Sequence, residues 1–215
     1  MAEPTWTVLV PVKRLDAAKS RLRGAADGVP HERLALALAE DTVGAVLGCA
    51  PVREVLVVTG DRTAARVLGG LGARIVAEPP GGGLNAAFDR GAALAAEGWV
   101  AALTADLPAL RATDLTGALR AAAAGPPGVR HFVADAPGSG TVLLTAGPGV
   151  PLDPRFGGDS AAAHAASGAR PLTGDWPTLR RDVDTPADLR AAAAYGLGPR
   201  TTALARWAVT AAVQR

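Results

Sequence analysis

The chain has 215 residues, of which 49% are apolar, 20% charged and only 4% aromatic; 22 Lys and Arg face 20 Asp and Glu, for a formal net charge of +2. That length predicts one domain, residues 1–215, and the charge balance and scarcity of aromatics argue against a nucleic-acid surface. No apolar run reaches the roughly 18 residues that span a bilayer, Arg14, Asp16, Lys19, Arg21 and Arg23 argue against a secretory leader, and Cys49, the only cysteine, cannot form an internal disulfide, so a reducing cytoplasm is expected.

Strands and helices alternate. Residues 5–12 (TWTVLVPV) are an apolar, β-branched run of strand length. Leu34, Leu38, Val43, Val46 and Leu47 recur at helical spacing between His31 and Gly48. Glu54 to Thr59 reads as a second strand, and Asp61 as the N-cap of a helix reaching Leu71. A short third strand, Ala73 to Ala77, leads through the Pro79 to Gly83 breaker into an Ala-rich helix, Leu84 to Glu97. Trp99 to Thr104 is the fourth strand, and Thr113 opens a helix to Ala124. Val129 to Ala134 and Thr141 to Thr145 flank a Gly/Pro loop as strands, and Asp159 to Ser167 is a short helix. Thr185, Pro186 and Asp188 mark a helix start running to about Tyr195, and a last helix spans Thr201 to Val213. Near-continuous apolar strands between helices predict an α/β fold, a Rossmann-like, mostly parallel sheet with helices on both faces. Ligands of such folds sit beyond the carboxyl ends of the strands.

The loop after the first strand, VPVKRLDAAKSRL, holds both lysines of the chain, Lys13 and Lys19, although 22 residues are basic. Lys is a compact charge on a flexible stem and reaches a phosphate from a loop. The loop is neither GxGxxG nor GxxxxGK[ST]. Lys13, Arg14, Lys19 and Arg21 could instead form a polyphosphate cradle; the plainer alternative is a solvated basic loop. Asp106 follows the fourth strand, where a carboxylate is a natural Mg2+ ligand or a local cap. At RFGGDS, Gly157 and Gly158 permit close approach to a helix start and Ser160 adds a hydroxyl, a combination suited to an anion. His31, His131 and His164 have no metal-ligand spacing with one another or with Cys49. Gly138 to Gly140 lacks the frame of a nucleophile elbow.

The string P-V-K-x-L-x-x-A-K-S-R-L (Pro11 to Leu22) resembles the opening motif of the phosphoenolpyruvate/2-phospholactate guanylyltransferases of deazaflavin coenzyme F-420 biosynthesis. These belong to the MobA-like nucleotidyltransferases, whose other branches open with a Gly-rich loop. The resemblance recurs at GLNAA (Gly83 to Ala87), TADLP (Thr104 to Pro108), Gly140-Thr141, RFGGDSAAAH (Arg155 to His164) and DVDTPADL (Asp182 to Leu189). It implies the nucleotide-diphospho-sugar transferase, or glycosyltransferase-A-like, fold. It implies GTP on Lys13, Lys19 and Arg21, with Gly83 and Asn85 near guanine, although Asn85 could equally cap a helix. Asp106 and Asp184 are the implied Mg2+ ligands, with Asp182 the alternative to Asp184. Thr141, Gly157 and Ser160 are the implied contacts to a three-carbon phosphorylated acid, with Thr145 the alternative to Thr141. Arg155 could meet the acid's carboxylate or form a surface ion pair.

The implied reaction moves GMP from GTP onto phosphoenolpyruvate or 2-phospholactate and releases pyrophosphate, with Lys13 and Lys19 catalytic. Two alternatives stand beside it: a related transferase acting on molybdopterin or a sugar phosphate, and a nucleotide-binding regulator without turnover. No membrane or nucleic-acid partner is expected.

Overall fold

The first strand, β1 (Trp6–Val12), is buried at every residue, as its β-branched apolar sequence requires. A computed structural model of the protein describes residues 3–22, 28–95 and 98–205. The other strands are β2 (Val52–Thr59), β3 (Arg74–Ala77), β4 (Trp99–Leu103), β5 (His131–Ala134), β6 (Thr141–Ala146) and β7 (Arg170–Pro171). The helices are α1 (His31–Leu47), α2 (Arg62–Gly70), α3 (Leu84–Leu94), α4 (Ala112–Ala123), α5 (Ser160–Ala166), α6 (Pro186–Ala193) and α7 (Pro199–Leu204).

The strands form one seven-stranded sheet in the order β3-β2-β1-β4-β6-β5-β7. β6 alone is reversed: it pairs antiparallel with β4 and β5, while the β1–β2, β1–β4, β2–β3 and β5–β7 ladders are parallel. At the centre, Leu9 lies opposite Leu56 of β2 and Ala102 of β4. Alternation then splits the core. Val8, Val10, Val55, Val57, Ala101 and Leu103 join one cluster with α1, α2 and α4. Leu9, Leu56, Val58 and Ala102 join another with Ala87 and Phe88 of α3 and Ala161 of α5. Both faces are therefore covered. α3 lies close to the sheet because Gly91 has no side chain; a Cβ there would stand 3.1 Å from Leu9.

Asp61 caps α2, accepting from the N–H groups of Thr63 and Ala64 at 2.8 and 3.0 Å. α4 begins one residue before Thr113, with Arg111 as N-cap and no side-chain cap, so Thr113 is not its opening residue. β7 pairs with β5 over only two residues, too short for a hydropathy pattern to mark. The helix expected over 201–213 is seen as α7, and 206–215 lie outside the described residues. Asp41 of α1 reaches α7: its carboxylate, 8% exposed, accepts from the N–H groups of Arg200 and Thr201 at 3.0 and 2.7 Å.

Candidate active site

The carboxyl ends of β1 and β4 deliver Lys19 and Asp106 to one place. After Val12 the chain turns through a 3-10 segment, Ser20–Leu22, and Lys19 enters it with φ +53°, in the left-handed region. This turns its ammonium inward, onto Asp106 and onto Asp184 at 2.5 Å. Asp184 arrives from far along the chain because the Val183 N–H donates to the Asp106 carbonyl at 3.0 Å. A capping box then orients it. Asp188 accepts from the N–H groups of Asp184 and Thr185 at 3.2 and 2.8 Å, and the Thr185 hydroxyl accepts from the Asp188 N–H. Burial works against the Lys19 ammonium, but the charges and hydrogen bonds of Asp106 and Asp184 outweigh it and push its pKa up.

These residues line a cleft of about 490 Å³ together with Lys13, Arg21, Asp182, Thr141, Gly157 and Ser160. The two lysines and two aspartates thus share one space. The reversal of β6 explains which threonine faces it. An antiparallel strand brings its first residue, Thr141, to the end where the parallel strands finish. Thr145 stays inside the sheet, its hydroxyl donating to the His131 carbonyl at 3.1 Å. Gly157 has φ +151°, a conformation that favours glycine.

Gly83 and Asn85 do not line the cleft; Leu84 between them does. Gly83 is the N-cap of α3, so Asn85 caps nothing. Its carboxamide instead binds the Phe156 backbone in both directions, donating to the carbonyl at 3.0 Å and accepting from the N–H at 2.8 Å. Phe156 also stacks on Phe88, with ring centroids 4.4 Å apart. Arg155 forms an exposed ion pair with Asp153 at 3.3 Å and does not line the cleft.

Sequence reasoning passed over Asp135, which lines the same cleft beyond β5 and accepts from the N–H groups of Gly138 and Gly140 at 2.7 and 2.9 Å. Its signal was the one used for Asp106, a carboxylate at a strand's carboxyl end. Asp106, Asp135, Asp182 and Asp184 line one cleft with the half-buried Lys19 ammonium, which pairs with Asp106 and Asp184. Burial, and then the charges of Asp106, Asp135 and Asp184, raise the Asp182 pKa to about 7 against the pull of Lys19.

The donor set fits a hard divalent cation. Asp106 Oδ1 and Thr104 Oγ1 are buried with no hydrogen-bond partner among the described residues. Asp184 is 54% exposed and open to solvent. No group of three or more His, Cys, Asp or Glu among the described residues is disposed to hold a metal ion unaided. Two carboxylates completed by phosphate oxygens and water is the arrangement Mg2+ favours.

The sheet order and the cleft at its carboxyl end are those of the nucleotide-diphospho-sugar transferase fold. A nucleotidyl transferase from Methanothermobacter superimposes with a TM-score of 0.65 at 20% identity, covering 90% of this chain and 98% of its own. A Desulfovibrio desulfuricans protein assigned to the nucleotide-diphospho-sugar transferases gives 0.68 at 16% identity, covering 99% and 98%. The family model described as MobA-like NTP transferase domain matches residues 35–172, and the chain belongs to that family. Within it, the chain is 64% identical to the phosphoenolpyruvate guanylyltransferase of Salinispora arenicola, over 93% of this chain and 92% of the relative. It is 54% identical to the proteins of that name from Geodermatophilus obscurus (95% of each chain) and Streptomyces coelicolor (93% and 95%).

Proposed function

We propose that the protein transfers GMP from GTP to the phosphate of phosphoenolpyruvate, giving enolpyruvoyl-diphospho-guanosine and pyrophosphate, in the cytoplasm and toward coenzyme F-420. The convergence of Lys13, Lys19, Asp106 and Asp184 on one cleft carries this reading. The names of relatives at 54–64% identity support the acceptor.

The cleft divides by chemistry. Lys13 and Arg21, exposed at its mouth, and Lys19 within take the triphosphate. Leu84, between Gly83 and Asn85, offers an apolar surface to the base. Thr141, Gly157 and Ser160, which line the same cleft, hold the acceptor. An acceptor phosphate oxygen attacks the α-phosphorus in line. The bond from that phosphorus to the bridging oxygen breaks, and pyrophosphate leaves with the electron pair. The acceptor phosphate is already ionised at neutral pH, so no side chain takes a proton. Lys13 and Lys19 neutralise the charge that grows on the leaving pyrophosphate. Asp106 and Asp184 would hold Mg2+, which when bound supplies further charge neutralisation and orients the phosphates.

The test is Mg2+-dependent pyrophosphate release from GTP, with phosphoenolpyruvate and 2-phospholactate supplied separately. Release with phosphoenolpyruvate is expected; GTP binding without release in the presence of either acid would refute the reading.

A further inference from the structure

His164 of α5 has no solvent exposure and stands behind the acceptor wall of the cleft, and this inference about it rests on the guanylyltransferase reading. Its two ring nitrogens have different partners. The Arg155 backbone N–H donates to Nε2 at 2.9 Å. A backbone amide can only donate, so Nε2 carries no proton. Nδ1 lies 2.9 Å from Thr141 Oγ1. In a neutral ring with Nε2 bare, the proton sits on Nδ1 and points at that oxygen. Burial, followed by the charge of Arg130, lowers the His164 pKa to about 4, so the ring is neutral; the Ser160 carbonyl also draws on the ring.

The consequence falls on Thr141. Its hydroxyl accepts from His164 and cannot donate back to a protonated nitrogen. Among the described residues its hydrogen has no other acceptor, and Thr141 lines the cleft. The same ring holds the Arg155 backbone, two residues before Gly157, and meets the Phe156 ring edge-on at 5.0 Å. One side chain thereby joins the start of β6 to the 155–157 loop.

We infer that His164 is a positioning residue for the acceptor: with Nε2 bare and Nδ1 donating, it makes the Thr141 hydroxyl a fixed donor to an anionic oxygen of the three-carbon acid. The roles are thus divided, with Thr141 touching the acceptor and His164 acting only through it and through the loop.

Steady-state kinetics read GTP and phosphoenolpyruvate separately. Thr141→Val and His164→Phe each raise the KM for phosphoenolpyruvate about tenfold or more, while the KM for GTP moves less than about twofold. His164→Asn keeps an N–H near the Nδ1 position and recovers most of that loss. In the Thr141→Val background, His164→Phe adds less than about threefold, because the hydroxyl it directs is gone. Nitrogen-15 NMR of the substrate-free wild-type imidazole shows Nδ1 protonated and Nε2 bare. Multiplied losses in the double variant, equal rises in both KM values, or a proton on Nε2 each overturn the inference. Should His164→Phe fail to fold, His164→Asn with Thr141→Val and the tautomer decide it. Absence of turnover in the wild type would overturn the guanylyltransferase reading instead, and the tautomer would still test the hydrogen-bond arrangement.

Discussion

Lys19 joins the two carboxylates proposed above to hold a divalent cation, and under that proposal ammonium and ion compete for them. Lys19→Ala therefore has two expected effects. It raises the KM for GTP more than that for the acceptor, and it tightens divalent-ion binding to the nucleotide-free protein, read by Mn2+ titration. A defect confined to the acceptor would remove Lys19 from the cradle. Asp106→Asn lowers kcat by about a thousandfold or more, because the ion it is proposed to hold would supply charge neutralisation at the phosphates. Its melting temperature is maintained, because the lost charge is one of five carboxylates lining the cleft. The placement of both residues at the carboxyl end of the sheet was legible from sequence, Lys19 as a rare lysine among arginines and Asp106 by its position after a strand. Asp135 was hidden in a Gly-rich stretch read only as a loop. His164 was hidden because its spacing was tested for metal alone, whereas its role depends on contacts with Thr141 and Arg155 that folding creates.

Among the elements, α6 matters for what precedes it. Its capping box uses Asp188 to hold the N–H groups of Asp184 and Thr185. Asp188→Ala should destabilise the fold by about 1 kcal/mol, and it should also weaken Mn2+ binding, since Asp184 loses its anchor. A fall in melting temperature with unchanged ion affinity would show that Asp184 is placed by the Val183–Asp106 bond alone. This cap was readable from Thr185, Pro186 and Asp188, because a capping box is local. The direction of β6 was not readable. Its alternation is the same whichever way it runs, and only pairing with β4 and β5 makes Thr141 rather than Thr145 the cleft residue.

Over the whole molecule, the buried titrations make stability depend on pH. His164 is held at about 4, against an ordinary 6.5, by burial and by the charges of Arg130 and Arg155, opposed by the Ser160 carbonyl and Asp153. The unfolded chain therefore binds a proton between these values that the folded chain does not. The stabilisation is complete above pH 6.5 and is lost as pH falls through 4. Asp182, held up at about 7, runs the opposite way, so the wild-type curve mixes the two. Denaturant unfolding of wild type and His164→Asn separates them: their difference should shrink by on the order of 2 kcal/mol between pH 7 and pH 4. A constant difference would mean that His164 is not held neutral. The α/β architecture was legible because alternation and helical spacing are local, but its long-range closures were not. Asp41 is one of these, a carboxylate of the first long helix whose partners are Arg200 and Thr201. During synthesis on the ribosome, that acid has no amide to meet until nearly the whole chain has emerged. A chain stalled before residue 200 lacks both those amides and the segment that packs over the carboxylate, so α1 would keep a solvated charge where the finished protein has a buried, paired one.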